Sequence, residues 1–487
     1  MQPTAFVILH ADTNPSPKIS GALHAHARRS SLRSKHPLTS DRLRRAALFL
    51  CLVAQYLPLP CRAATPNPSA SPQSDGTQSS SPAHPRTIED LNLKGAGADN
   101  PPFTDSLFGA DSTFRRRLFR HGLLFRMGAN AAYIQNTLAA PVSADAQTYT
   151  GQRQFAAYSF NPVLSADLRQ LGLRKTQLNI NGQLQQASWS PAQPAAATIS
   201  ALYLYKEFGE DRVEMKLGYL TTDFQFIGLQ VGGQVASGAQ GVYAVLPYEV
   251  GLSHTPLPAP VLTLKYRFDN GLYFKGAAQR AEEPGSLDAA LHRNPVGLRF
   301  LPHGDKLLLV GEAGLKQPAT ATQLSAWYRA GYIANNTPYT SLRTGLKKSG
   351  NYCGYLLADH QLWQPETSNP GRGVYAGASA MVVPADLDVY RLYYEARIYY
   401  AAPFHSRPDD FASVVASYTA ISQDYLRTLV TAHQSYWRAS DSVTGSYTAH
   451  LARGTYLGIG LSYVNGPTIS PKVPSALTFT AQTSIFF

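Results

Sequence analysis

Leu477-Thr478-Phe479-Thr480-Ala481-Gln482-Thr483-Ser484-Ile485-Phe486-Phe487 close the chain and decide its fold. Leu477, Phe479, Ala481, Thr483, Ile485 and Phe487 share one face of an extended strand. Ala476, Thr478, Thr480, Gln482, Ser484 and Phe486 share the other. A soluble strand hides its apolar face in a core, yet a chain terminus is normally loose. A period-two apolar face that runs to a terminal Phe suits a strand closing a barrel against lipid.

The composition agrees with that reading. Of 487 residues 28 are Tyr and 20 are Phe, while charged residues make up only 15%. Abundant aromatics with sparse charge suit the girdles at two membrane interfaces. No uninterrupted apolar run reaches the ~20 residues that a spanning helix needs. The expected fold class is all-β: a transmembrane antiparallel β-barrel of about 16 strands, preceded by a short N-terminal periplasmic segment.

The N-terminal part reads as an export device. Arg42, Arg44 and Arg45 precede the apolar run Ala46 to Leu59, and Cys61-Arg62-Ala63 offers a small-x-small cleavage site. Residues 1–63 are therefore assigned to an N-terminal extension plus signal peptide. Residues 64–103, whose first part is rich in Pro, Ser, Ala and Asn, are assigned to a flexible linker, and residues 104–487 to the barrel. Within 104–121, Phe114 to His121 form a basic, helical lead-in, read as a solvated segment near anionic lipid. Residues 1–63 hold nine of the 43 basic groups and two of the 31 acidic ones, so the net charge of +12 falls to about +5 beyond them. Nucleic-acid binding loses its main support. Cys353 is the one cysteine beyond residue 63, which excludes an internal disulfide and a Cys-based metal site there. No cofactor and no metal are expected.

From Gly122 onward alternating runs recur between turn signals. They place strands near 122–136, 152–169, 175–188, 198–208, 211–222, 260–269, 271–281, 306–315, 322–334, 350–363, 371–383, 390–401, 411–422, 443–453, 455–465 and 475–487. Counting back from the periplasmic C-terminus, the turns that should be short are short: Arg453-Gly454, Ala402 to Asp410, Asp269-Asn270-Gly271 and Gly209-Glu210. The connections 423–442, 335–349, 282–305 and 223–259 should then be external. The longest, 223–259, is the third external connection.

Alternation also sorts lipid-facing from lumen-facing side chains. A charge facing lipid near the midplane costs roughly 2–4 kcal/mol, so the charged parity must be the lumen. Leu178, Ile180 and Leu184 oppose Gln177, Asn179, Asn181, Gln183 and Gln185. Tyr328 and Tyr332 oppose Trp327 and Arg329, while Tyr394 and Ile398 oppose Arg391, Tyr393, Glu395, Arg397 and Tyr399. Such a lumen is wet. Its guanidinium groups, carboxylates, amides and aromatic rings match the hydroxyls and apolar C–H faces of sugars. The candidate pore-lining, substrate-binding residues are Trp327, Arg329, Arg391, Tyr393, Glu395, Arg397, Lys265 and Arg267, with Lys216 and Lys275 adding positive potential. No catalytic residue is proposed.

Several segments carry a family resemblance. Gly373-Val374-Tyr375-Ala376-Gly377-Ala378-Ser379, Tyr355 to Trp363, and Pro403-Phe404-His405-Ser406-Arg407-Pro408-Asp409-Asp410 with Ser417 to Ser422 resemble the carbohydrate-selective porin (OprB) family. Glu207-Phe208 through Gly218-Tyr219 to Asp223-Phe224-Gln225-Phe226 fits too. The resemblance spans approximately 105–487, although Gly109-Ala110-Asp111 stands where the family often has Trp-Gly-Gly. It implies a 16-stranded, substrate-selective sugar porin of the bacterial outer membrane that passes monosaccharides such as glucose. By the same resemblance the aromatic terminus Phe487 is the signal read by the barrel-insertion machinery; 223–259, as the third external connection, is expected to fold inward and narrow the pore as that loop does in general porins. The partners implied are small sugars as permeants and outer-membrane lipid, and a homotrimer is one assembly open to such a barrel. Arg407 to Asp410 lies in a periplasmic turn and reads as structural.

Three rival functions differ in class. A general or anion-preferring porin is motivated by the modest positive charge. An outer-membrane hydrolase would use His450 with Ser446 or Thr448, but these lie on the lumen parity, away from lipid, and no nucleophile motif surrounds them. A plugged structural barrel would not conduct.

Overall fold

In the computed structural model of the protein, residues 87–95, 101–138, 142–227, 246–282, 287–301, 306–469 and 473–487 are described. The segment read as a signal peptide and most of that read as a linker lie outside them. Sixteen strands follow one another: β1 (Leu123–Asn136), β2 (Phe155–Asp167), β3 (Thr176–Ala187), β4 (Ala196–Phe208), β5 (Val213–Leu220), β6 (Ala259–Arg267), β7 (Leu272–Arg280) and β8 (Leu307–Gln317). The second half comprises β9 (Ala326–Thr340), β10 (Lys347–Trp363), β11 (Gly373–Val382), β12 (Tyr390–Ala401), β13 (Phe411–Ile421), β14 (Ala439–Ala452), β15 (Thr455–Asn465) and β16 (Ala476–Phe486). Each pairs antiparallel with its neighbours in sequence, and β1 pairs with β16 to close the barrel. The closing register sets Ala132 opposite Gln482 and Tyr133 opposite Ala481. Closure leaves no unpaired edge, which is what permits a sheet in lipid. Among the described residues no helix is long and apolar enough to cross a membrane.

The terminal strand behaves as its alternation predicts. Phe479 is exposed on the outer surface, while Thr478, Thr480, Gln482 and Ser484 are buried on the lumen side. Around the barrel the outer surface carries Leu217, Leu264, Phe274, Leu309, Tyr332, Leu356, Ile398, Val414 and Leu461. In water such a continuous apolar belt would be a large liability. Against acyl chains it is the required surface.

The end bearing both Leu123 and Phe487 has the short connections, among them Gly209 to Arg212, Phe268 to Gly271 and Arg453-Gly454, and is the periplasmic end. Several strand boundaries differ from the sequence reading, among them the start of β9, which falls at Ala326 and not near 322. The external connection placed at 335–349 shrinks to 341–346, because β9 and β10 continue as a polar ribbon with Lys347 opposite Thr340. Asn335, Thr337 and Tyr339 keep the alternation there, but without an apolar face it gives no hydrophobic signal, and Pro338 disguises it further. Likewise β14 starts at Ala439, four residues before the expected start at 443.

Two segments enter the barrel. The described ends of the connection β5–β6, 221–227 and 246–258, fold inward, as expected for the third external loop: Phe226, Leu246, Val250 and Leu252 are fully buried in the main apolar cluster with Val310, Ile333 and Tyr355. The second segment was assigned to the flexible linker and corrects that reading. Thr87–Gly95 packs against the inner wall, starting with a 3-10 turn Ile88–Leu91 whose Thr87 and Asp90 cap each other. Ile88 and Leu91 join Phe103 and Leu124 in a small apolar cluster.

The basic lead-in is a helix, Thr113–Arg120, capped by Ser112. It is not solvated throughout. Arg115 is buried, donating to Ser106 Oγ at 2.5 Å and Gly109 O at 2.6 Å beneath the Phe103 ring.

Candidate functional site

The lumen wall is organised in rows, because residues opposite each other on successive strands lie side by side across the barrel. One row runs Lys316, Trp327, Asp359, Gly377, Arg397 through β8 to β12. The next runs Arg267, Tyr273, Gly314, Arg329, Leu357, Ser379, Glu395. A third runs Glu214, Lys265, Lys275, Glu312, Gly331, Tyr355, Met381, Tyr393. Seven of the eight sequence-derived candidates therefore fall in three adjacent rows of one wall.

On β10–β12 the centre is Arg397. Its Nε and Nη2 grip Asp359 Oδ1 and Oδ2 at 2.9 and 2.6 Å, and Nη1 donates to Ser379 Oγ at 2.8 Å and Glu395 Oε1 at 2.6 Å. Nη2 also donates to the Ala358 carbonyl at 3.1 Å. All five guanidinium donors are thus engaged. Arg397 braces the wall and has none left for a permeant. Glu395 also accepts from Tyr393 Oη at 2.5 Å, and Tyr399 donates to Asp359 at 3.2 Å. The row needs a glycine at its middle. A Cβ on Gly377 would lie 2.4 Å from Asp359 Oδ1 and 2.5 Å from Arg397 Nε.

On β5–β9 basic groups dominate. Arg329 stacks its guanidinium 3.8 Å from the Trp327 ring centre, and Lys316 approaches the same ring at 4.7 Å. Trp327 Nε1 donates to Tyr273 Oη at 3.0 Å. Lys265 sits 4.5 Å over the Tyr273 ring. Glu312 is enclosed by Lys275 Nζ, Tyr273 Oη and Tyr355 Oη, each at 2.9 Å. Arg267 pairs with Glu214 near the periplasmic end, and Lys216 meets Glu214 at 2.9 Å. Lys216, Lys265, Arg267, Lys275, Lys316 and Arg329 thus outnumber Glu214 and Glu312 on this wall, whereas on the neighbouring one Asp359 and Glu395 are matched by Arg391 and Arg397.

Arg329 has a second task. Its Nη1 donates to the carbonyls of Phe226 and Ile227 at 2.8 and 3.3 Å, holding the inward loop. Lys275 donates to the carbonyl and Lys216 to the side chain of Gln225. Asn335 Nδ2 binds the Val250 carbonyl at 2.7 Å. The loop is therefore tied by the same basic residues that line the wall.

Arg391 is the candidate left apart. It lies in the register irregularity between Tyr390 and Leu392 at the outer end of β12, half-buried, and takes no part in the Arg397 network. Residues missed by sequence reasoning are Asp359, Ser379 and Glu312. Each was legible in principle, since its parity matches that of neighbouring lumen residues, but pairing across strands is not visible in one strand's pattern.

Remaining motifs are structural. Arg407 Nε binds Asp410 Oδ2 at 2.5 Å within its turn, and Asp410 Oδ1 accepts the His450 amide at 2.8 Å. His450 Nε2 meets Asp105 Oδ1 at 2.9 Å and its Nδ1 lies 3.3 Å from Asp409. The histidine is fixed between carboxylates and serves the periplasmic turn.

A closed sixteen-stranded barrel with an apolar belt, a polar charged lumen and an inward-folded third external loop defines a porin. Residues 120–487 match the carbohydrate-selective porin, OprB family, and the chain belongs to that family. It is an outer-membrane carbohydrate porin: a channel, not an enzyme. Its barrel is similar to the high-pH structure of OprB from Pseudomonas putida, with 14% identity, a TM-score of 0.67, and coverage of 79% of this chain and 98% of that one. The low-pH structure of the same protein is similar at a TM-score of 0.50 with the same identity and coverage. No curated protein matches the chain by sequence.

Proposed function

We propose that this porin favours monosaccharides such as glucose, admitted along the wall formed by β9–β12. The observation that carries the proposal is the adjacency of an aromatic face and hydrogen-bonding groups in consecutive rows: Trp327 beside Asp359, with Glu395 in the next row. A pyranose presents the same pairing, with C–H faces for the rings and hydroxyls for the carboxylates. Glu395 and Trp327 are the expected contacts; Tyr393, which is fully buried in the main apolar cluster and donates to Glu395, joins Arg397, Arg329 and Arg267 in setting their positions. Arg391 and Lys265 contribute positive potential at the two ends of the path.

Export by the segment ending near Ala63, and insertion through the terminal Phe487, complete the proposed route to the outer membrane. Liposome swelling tests the selectivity directly. Glucose should enter faster than amino acids of similar size, and Glu395→Gln should remove much of the difference. Equal rates in the native channel would overturn the sugar preference and favour a general diffusion pore.

A further inference from the structure

The geometry points to the segment Thr87–Gly95 as a strap inside the lumen that narrows the pore and contributes Lys94 to its ion and size selectivity. The strap lies across the inner faces of β3 to β5. Gln177 of β3 donates to the Leu91 carbonyl at 2.9 Å and accepts from the Lys94 amide at 2.9 Å. Tyr203 of β4, itself almost fully buried, donates to the Lys94 carbonyl at 2.7 Å. Gln225 of the inward loop donates to the Gly95 carbonyl at 2.9 Å. The strap therefore ties together the wall and the loop that constricts the channel.

Its sequence is built for that seat. Leu93 packs on the main apolar cluster, and Leu91 is buried with Phe103 and Leu124. Gly95 turns with φ +74 directly against the wall, where a Cβ would come 2.6 Å from Lys216 Cε and 2.8 Å from Tyr205 Cδ2. No other residue type combines that φ with that approach. The Lys94 backbone is bonded on both sides, yet its side chain is exposed. With its backbone held on the inner wall, Lys94 carries its ammonium at the periplasmic mouth, within electrostatic reach of Asp211 in the β4–β5 turn. Charge there is a selectivity determinant, because fixed charge at a confined aqueous path sets the local counter-ion population.

The inference rests on the channel reading but not on the sugar preference. Planar-bilayer recordings of the full-length protein test it. Lys94→Glu should shift the reversal potential in a salt gradient toward cations. Lys94→Cys, in a Cys51→Ala and Cys61→Ala background, should lose conductance when a bulky charged thiol reagent is added; the remaining Cys353 is buried. Deleting residues 87–95 should raise single-channel conductance and admit larger solutes. An unchanged reversal potential together with no effect of the thiol reagent would overturn the strap. Since neither Lys94 variant removes a packing or hydrogen-bonding side chain, both remain decisive if the deletion fails to assemble. A channel that responds at Lys94 but swells no faster for glucose would sink the sugar preference and leave the strap standing.

Discussion

Arg397 on β12 clamps Asp359 on β10 through a bidentate pair that passes over Gly377, so two strands that share no hydrogen-bond ladder are joined across the one between them. Both charges are buried, and removing one partner leaves the other uncompensated. Asp359→Asn is expected to cost about 3–5 kcal/mol of barrel stability. Gly377→Ala should act in the same direction by forcing the pair apart. Heat-modifiable migration on gels, or a denaturant titration, reads the effect. An unaltered midpoint for both variants would contradict the role of the clamp.

Arg391 provides the contrasting case. It stands outside that network, so Arg391→Glu should leave the unfolding midpoint within about 0.5 kcal/mol while moving the reversal potential toward cations. Loss of stability in this variant would mean that the residue braces the wall as Arg397 does.

Releasing the inward loop should open the channel. Arg329→Met keeps the stem over Trp327 but withdraws the donor from Phe226 and Ile227, a loss of about 1.5–3 kcal/mol for a charged hydrogen bond. Higher single-channel conductance and more open-state noise are expected. A quiet channel of native conductance would show that the remaining ties suffice.

The loop should also respond to pH. Asp223 and His254 lie in the connection between β5 and β6, with Glu282 3.2 Å from His254 Nδ1 and the Tyr248 ring tilted against the imidazole at 4.6 Å. Burial pushes Asp223 up to about 7, against the pull of His254. Burial opposes charge on His254, but Glu282, Asp223 and the Leu252 backbone together outweigh it and raise its pKa. Both groups hold protons more tightly in the docked loop than in a free chain, where Asp titrates near ~3.9 and His near ~6.5. The stability they contribute is present at acid pH and is lost as the pH rises through about 7. Conductance noise should therefore grow from mildly acid to mildly alkaline solution, and Asp223→Asn should flatten the dependence. Native noise that falls with rising pH would refute it.

At the terminus, Phe487 donates its amide to the Met127 carbonyl at 2.8 Å and its ring meets Phe108 at 5.6 Å. Removing Phe487 is expected to leave export intact and to impair assembly, seen as periplasmic accumulation of unfolded chain. Normal assembly of the truncated protein would refute an insertion signal at this residue.

Much of the fold could be read in advance because lipid outside and water inside impose a strict period of two. Leu477 to Phe487 carried that signal unbroken, and the alternation of short and long connections fixed its direction. It failed where one face ceased to be apolar, as at Asn335 to Thr340. The site was legible strand by strand: Tyr393, Glu395 and Arg397 stood together on β12. What the pattern could not supply was the partner on another strand, so Arg397 looked available to substrate although Asp359, Ser379 and Glu395 occupy it. The strap was illegible for a different reason. Ile88, Leu91 and Leu93 lie near a Pro- and Ser-rich stretch, and only docking to Gln177 and Tyr203 gives them a place.

The unequal charging of the two neighbouring walls makes the interior electrically lopsided. Basic groups are in excess on β5–β9, while on β10–β12 Asp359 and Glu395 are balanced by Arg391 and Arg397, so a field runs sideways through the water column and not along its axis. An ion gains no net push from such a field and is merely drawn to one side. An uncharged molecule rich in hydroxyl dipoles is turned by such a field, so on the proposed reading a sugar would enter the narrow part already oriented toward Trp327 and Glu395.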